Sequence, residues 1–469
     1  MADTSCNLQQ GDSLKRIKQT IIAEVPAYLE FAGGNLIKDL ENDSDGITYK
    51  ILDCSVKLVD PLQLGFHAAS DMYEAEIHIE GNNSKQVHSV MVKAVPSNAI
   101  LRSLQNSEDQ FFNESKMFSE IVPLLLQTCA KSSCGDRHSY NLSAVCDLFP
   151  KCYYVSPDPE NGMIILQDLR TLGYKIGGDK TMVMDYDHIV LALEGLARFH
   201  ALSYVMKKND FGRYEQRVVT QIRDARRFVR KQAVSNSITV GYSEFMRHTT
   251  MLALDKFIEM KLDVGGLYTD KIIRVRQKIE DCSALLRELL APEEPLAVLC
   301  HGDFNRNNML FRYDSGGKPA EVKFLDFQNP FYASPAIDLS FFLFVNASPD
   351  LLGNCWDGLF STYHQTLLDA LSEFLNCPQE DLLPEFGIEA FRNQFSKYSL
   401  YGFMLATSFI IASADNDPSD VNPFEMYNNG IPTLQEMDIY VKENVKLVKV
   451  GIIDRVLQLT QKLLDEICL

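Results

Sequence analysis

The chain has 469 residues, 46% of them hydrophobic and 23% charged, with a formal net charge of −18. That length suits two hydrophobic cores or one large bilobal unit, and so acidic a field argues against nucleic acid or anionic membranes as partners. Eleven cysteines, an odd number without Cys-x-x-Cys pairs, read as free thiols; Cys129 and Cys134 are the closest two, and no histidine pattern completes a zinc site around them.

The first residues lack a basic flank followed by an apolar run, so no signal peptide is expected and the location read from the sequence is cytoplasmic. Triplets such as Asn113-Glu-Ser are then chance glycosylation matches. Leu14 to Phe31 has helical apolar spacing. From about 47 to 96 the pattern alternates: Tyr73, Ala75, Ile77 and Ile79 point one way, and Met72, Glu74, Glu76, His78 and Glu80 the other. A turn, Gly-Asn-Asn-Ser, leads to a second strand over 88–95, which makes a hairpin. Ser107 with Gln110 fits a capping box, and Phe111, Met117, Phe118 and Ile121 form the stripe of a helix. Short strands are expected around Cys152 to Val155 and Met163 to Leu166. From about Asp187 the chain reads as helical, over 188–208, 242–260, 271–290, 351–375, 390–414 and 441–467. The apolar run Leu400 to Ala414 is short for a membrane span and reads as a buried helix.

One β interruption, at 308–326, follows the stretch His301-Gly-Asp-Phe-Asn-Arg-Asn-Asn-Met-Leu-Phe311. Asn308 onward reads as a strand, Asp314-Ser-Gly-Gly-Lys-Pro319 as a turn, and Ala320 to Leu325 as the returning strand. A turn centred near Gly317 would set Asn308 opposite Asp326, roughly 5 Å apart Cα to Cα. An amide oxygen and a carboxylate so placed suit Mg²⁺, and Asp303 would be free to accept a proton from a hydroxyl. The plainer alternative is a polar turn whose side chains cap backbone groups.

Phosphoryl transfer needs a cation on the nucleotide phosphates and something to fix it. Lys93 shares a strand face with Met91 and Val95, and Glu114 lies on the apolar stripe of its helix. Each is costly alone among apolar neighbours, and pairing Lys93 with Glu114 resolves both. His200, on the helical face of Leu193 and Leu196, reads as a hydrogen-bonded core histidine, and His301 as a brace of its loop.

Together these residues resemble the protein-kinase-like superfamily, in the small-molecule branch with choline and aminoglycoside kinases, and more narrowly the ecdysteroid kinase-like (CHK kinase-like) family. The resemblance runs from about 45 to 440. It is carried by "HGDFNRNN", "VKFLDFQ", "ASPAIDLSFFL", "LARFHALS" at 196–203 and "FFNESKMFSEIVP" at 111–123, the last with Phe118 where the family usually has Tyr. It implies an α+β, bilobal protein-kinase-like fold: an N-terminal extension and helix over 1–44, a small β-rich nucleotide-binding lobe over 45–170, and a large, mainly helical lobe over 171–469. It implies Asp303 as catalytic base, Asn308 and Asp326 as Mg²⁺ ligands, and Lys93 on the ATP phosphates, oriented by Glu114. Asp338 would brace the catalytic loop. The adenine would sit against Leu166 to Leu169, with Gln167 where the family often has Glu. The loop from Gly65 to Ser70 would cover the phosphates.

The expectation is an ATP- and Mg²⁺-dependent small-molecule kinase, a monomer with neither nucleic acid nor membrane as partner, phosphorylating a hydroxyl of an ecdysteroid or a xenobiotic in detoxification. Its acceptor pocket would come from about 200–260 and 395–430. Two rivals stand beside it. One is a catalytically inactive nucleotide-binding or scaffold member of the same fold. The other is a metal-dependent hydrolase on His301 and Asp303, which leaves Lys93 and Glu114 unexplained.

Overall fold

Alternating burial builds the sheet of the first half. In the computed structural model, which describes residues 12–25, 50–59, 70–81, 84–96, 102, 106–132, 140–178, 183–224, 236–260, 262, 264–414 and 450–467, Tyr73, Ala75 and Ile77 are buried on one face, as their period of two predicts. Strands β1 (Lys50–Leu58), β2 (Asp71–Gly81), β3 (Ser84–Ala94), β4 (Cys152–Ser156) and β5 (Met163–Gln167) form an antiparallel sheet in the order β1-β2-β3-β5-β4. A helix over 12–25, α1, covers its apolar face. Ile17, Ile21 and Val25, at i, i+4 and i+8, enter one core cluster with Cys54, Tyr73, Ala75, Ile77, Val90, Val92 and Ala94. Lys93 lies between Val92 and Ala94 in β3, so its side chain leaves from the other face.

Two compact units divide the chain. The first comprises Met1–Lys175, Met206–Ala225 and Leu310–Gln328. Besides the sheet it contains α2 (Ser107–Lys116) and α3 (Val122–Ser132), joined by a π turn, Met117–Ile121. Pro123 has no N–H to donate, and the widened turn falls just before it. The predicted capping box does not form. Asn106, in a left-handed conformation, is the cap residue and does not cap the helix through its side chain, and Ser107 is already helical. The sequon asparagine Asn113 is fully buried, which is incompatible with a glycan.

The strands Met309–Tyr313 and Pro319–Phe324 pair as expected, with a correction of register. Asp314 N–H donates to the Lys318 carbonyl, so the turn centres on Gly316 and not Gly317. Asn308 does not begin the strand; it closes a 3₁₀ turn, Arg306–Asn308. Asp326 lies beyond the returning strand, at φ 64°. Neither is a ladder residue, so regular strand pairing cannot set one opposite the other.

The second unit, Ile176–Val205, Arg226–Met309 and Asn329–Leu469, is mainly helical. It holds α4 (Tyr186–Asn209) as far as Val205, α5 (Ala336–Asn346), α6 (Trp356–Leu375) and α7 (Ile388–Ala414). Every residue of α5 is buried, so it shows no amphipathic period, and the sequence did not reveal it as a helix. It crosses α7 at Gly402, where a Cβ would collide with the Ser340 backbone. Two expected helices are divided. Asp281 accepts from Ala284 N–H and splits 271–290 into Thr269–Ile279 and Cys282–Leu289. The expected 351–375 helix divides at Cys355, into a short Pro349–Asn354 helix that Ser348 caps and α6. The run Leu400 to Ala414 lies within α7, buried over 400–406. Residues 441–449 of the last expected helix are outside the described residues, and Val450–Glu466 is helical. Among the described residues α4 alone is long and apolar enough to cross a membrane, and 83% of its apolar window is buried inside the protein.

Candidate functional site

The first unit builds a cation between two carboxylates. Lys93 projects from β3 toward α2, where its ammonium forms an ion pair with Glu114 at 2.5 Å. The same ammonium pairs with Asp326. The sequence reading joined Lys93 to Glu114, and the fold adds Asp326 to that pair. Glu114 is 1% exposed. Burial pushes its carboxyl up to about 7, with Lys93 opposing and the Asp326 charge reinforcing the rise. Burial works against the charged form of Lys93, but Asp326 and Glu114 outweigh it and hold the pKa above the ordinary lysine value.

Asp326 is one of three described non-glycine residues with positive φ. Such a conformation is uncommon outside glycine, and neighbours must hold it. Gln328 Nε2 donates to Asp326 Oδ2 at 2.9 Å. Next in the chain, the Phe327 ring packs edge-on against Phe118 at 5.9 Å and tilted against Phe149 at 5.5 Å. Phe118 therefore serves as an anchor for the Asp326 turn. Asn113, next to Glu114, accepts from Arg223 N–H at 2.8 Å and donates to the carbonyls of Arg223 and Gln328 at 2.9 and 3.3 Å. It ties the turn after Asp326 to the helix that carries Glu114. No periodicity distinguishes Asn113 in the sequence, because α2 is buried on several sides at once.

Titration of Glu114 gives a testable sign. A carboxyl raised on folding from 4.5 to about 7 contributes stability that is fully present below pH 4.5 and lost as pH rises through about 7. Relative to Glu114→Gln, the wild-type protein should lose on the order of 1–3 kcal/mol between about pH 5 and about pH 8 in urea unfolding. Identical pH dependence of the two proteins would show that Glu114 does not titrate in that window.

Toward the expected adenine linker, Gln167 ends β5 with its N–H donated to Lys151 O at 2.9 Å. Leu169 is buried and opens a 3₁₀ turn. Asp168 between them is 2% exposed. It accepts from Ser89 Oγ at 2.9 Å and from the Arg170 side chain through both oxygens, at 2.9 and 2.8 Å. Ser70 is buried just before β2; Gly65 lies outside the described residues.

The second unit builds the loop that starts at His301. Gly302 has φ 81°, and a Cβ there would strike the Asn329 carbonyl, so only glycine fits. Asp338, 1% exposed, accepts from the backbone N–H of His301 at 2.7 Å and of Gly302 at 3.0 Å. The brace expected of Asp338 is thus present. His200 Nε2 lies 3.2 Å from the same carboxylate, as suits a bonded core histidine. The His301 ring is fully buried and packs against Phe304 at 5.7 Å. One turn beyond His200, Ser203 Oγ accepts from Leu299 N–H at 3.1 Å, and Tyr204 donates to Leu296 O at 2.7 Å. The "LARFHALS" motif is therefore the support of the strand Val298–Cys300 that feeds the loop.

Asp303 is half-buried. Its Oδ1 accepts from Asn305 Nδ2 at 2.7 Å, and its carbonyl accepts from Asn308 Nδ2 at 2.8 Å. Asn305 also caps the 3₁₀ turn through Asn307 N–H at 3.0 Å. Arg306 anchors the loop from behind, donating through Nε to the Gly177 carbonyl and through its backbone N–H to Asn346 Oδ1. Three residues of this loop whose parts were not legible, Asn305, Arg306 and Asn307, thus turn out to orient Asp303 or to fasten the turn beside it.

The matching family model, described as the ecdysteroid kinase-like family, covers residues 65–375. The chain belongs to the ecdysteroid kinase-like family. Comparison with curated proteins finds no match. Among solved structures, this ecdysteroid kinase-like chain is similar to a microcompartment-associated aminopropanol kinase, at 10% identity over 81% of this chain and 94% of the other, with a TM-score of 0.29. At that score the likeness carries no argument.

Proposed function

We propose that this ecdysteroid kinase-like chain is a small-molecule kinase that moves the γ-phosphoryl group of ATP to a hydroxyl of an ecdysteroid or a xenobiotic. The observation that carries this reading is the Lys93 ammonium held between the carboxylates of Glu114 and Asp326. A lysine fixed by two acids, one of them buried, is costly as a purely structural device, and its charge is the kind that phosphate oxygens need.

In this reading the acceptor oxygen attacks the γ-phosphorus as its proton passes to Asp303. The bond from that phosphorus to the β,γ-bridging oxygen breaks, and ADP leaves. Asn305 binds one Asp303 oxygen and so orients the carboxylate for that proton. Lys93 contacts the α/β-phosphates, and Glu114 keeps the ammonium aimed. Asp326 and Asn308 would hold Mg²⁺, which when bound neutralises phosphate charge. Their chemistry fits that ion. Asn308 gives its amide nitrogen to the Asp303 carbonyl, which leaves its oxygen for a cation. Among the described residues no group of three or more His, Cys, Asp or Glu could hold a metal, and Mg²⁺ takes few protein ligands and completes its shell with water and phosphate.

The test is a panel of ecdysteroids and of phenolic and glycosidic xenobiotics, read by a mass gain of one phosphate that requires both ATP and Mg²⁺. ATP binding without product across the panel would favour the inactive nucleotide-binding reading.

A further inference from the structure

We propose that Tyr363 is a positioning residue for this reaction, acting on Asp303 through His200, Asp338 and the backbone of the His301 loop. The inference rests on the kinase reading for its catalytic meaning, while the path itself lies wholly within the second unit. Tyr363 projects from α6 and is fully buried. Its hydroxyl is 2.8 Å from His200 Nδ1. His200 Nε2 is 3.2 Å from Asp338 Oδ2, and Asp338 holds the N–H groups of His301 and Gly302. Asp303 is the next residue. Tyr363, His200 and Asp338 are each 1% exposed or less, so water does not substitute for a missing link.

The chemistry gives each link a direction. A carboxylate only accepts, and Asp338 already takes two backbone N–H groups, so His200 must present a proton on Nε2. In the neutral ring Nδ1 is then an acceptor and needs a donor. Burial, reinforced by Cys300 and Asp338, raises the Tyr363 pKa well above its ordinary value, so the phenol keeps its proton and can donate it. Tyr363 thereby satisfies Nδ1 and fixes the ring orientation in which Nε2–H meets Asp338. Without the hydroxyl, Nδ1 would be left buried without its donor, and the ring would lose the bond that holds it in line with the carboxylate. The hold of Asp338 on the two loop N–H groups would then slacken. The ring of Tyr363 has a separate packing role, edge-on against His200 at 5.9 Å and Phe391 at 6.0 Å. Tyr363→Phe keeps that packing and removes only the hydroxyl.

The first readout is amide hydrogen exchange by mass spectrometry, which needs no substrate. In Y363F, peptides containing His301 and Gly302 should exchange about tenfold faster, the loss of one hydrogen bond. Peptides of α6 itself should be unchanged. A merely structural tyrosine would loosen α6 and leave the loop protected, and that result would overturn the inference. His200→Gln cuts the path at its next link and should expose the same loop peptides. Should Y363F fail to fold, an unchanged loop in H200Q would overturn the inference by itself. The second readout is ADP formation from MgATP with a panel of ecdysteroids. Y363F should lower kcat about tenfold with KM for ATP within about twofold, and should add nothing further in the H200Q background. Additive losses would overturn the path. A wild-type protein that makes no ADP would instead defeat the kinase reading, and the exchange experiment would still decide the role of Tyr363.

Discussion

Replacing Asp303 with asparagine should reduce phosphorylation of the acceptor by about 10²–10⁴-fold while leaving the fold and ATP binding intact. The substitution conserves size, so the loop need not move. Its effect comes from hydrogen-bond polarity. Asn305 Nδ2 donates to Asp303 Oδ1, so an amide at 303 would present its oxygen to Asn305. Its NH₂ group would then face the hydroxyl, a donor where an acceptor is required. The braces behind the loop reach Asp338 through backbone N–H groups of His301 and Gly302, which the change does not touch. The measurement is product formation by mass spectrometry beside a nucleotide titration. Near-wild-type turnover in D303N would remove Asp303 from the role of base.

The second large effect should separate stability from activity. Lys93→Met removes the cation from two carboxylates, one of them 1% exposed. Breaking one side of a buried pair costs about 3–5 kcal/mol when the remaining charge cannot reach water. Glu114 can escape part of that by taking a proton, since its pKa is already about 7 with Lys93 in place. The destabilisation should therefore be largest above neutral pH and smaller at about pH 5. The double change Lys93→Met with Glu114→Leu should recover most of the stability, because an apolar pair of similar volume replaces the buried ions. It should not recover turnover, which is expected to fall about 10²–10³-fold in both variants. Urea unfolding and initial rates with MgATP check the two halves. If the double variant regained activity with its stability, the Lys93–Glu114 pair would be a folding element alone.

The parts of the fold legible in the sequence were those with a half-buried face. β2 alternates because one side meets the core and the other does not, and Tyr73, Ala75 and Ile77 could be assigned to the buried side from spacing alone. α5 has no exposed side, so its eleven apolar-rich residues carry no period that separates helix from strand. The break at Asp281 was encoded locally, as a cap residue with a backbone donor three residues on, but an apolar stripe running through it masked the signal. The opposed placement of Asn308 and Asp326 rested on counting from an assumed turn centre, and one residue of error there is enough to undo a pairing argument.

By itself the sequence determined the chemical inventory of this ecdysteroid kinase-like chain. Lys93 and Glu114 were each anomalous on an apolar face, and the pairing that relieves both could be reasoned without coordinates. The order of motifs around Asp303 likewise showed which carboxylate belongs to the loop and which to the turn after the second strand. Only the tertiary structure decided what holds these groups. Asp326 as the second partner of Lys93, Asn113 clamping Gln328, Asn305 aiming Asp303, and the path from Tyr363 to the loop all join residues through hydrogen bonds or ion pairs. Such bonds depend on distance and direction between side chains, and when the partners are far apart in the chain no spacing or periodicity records them.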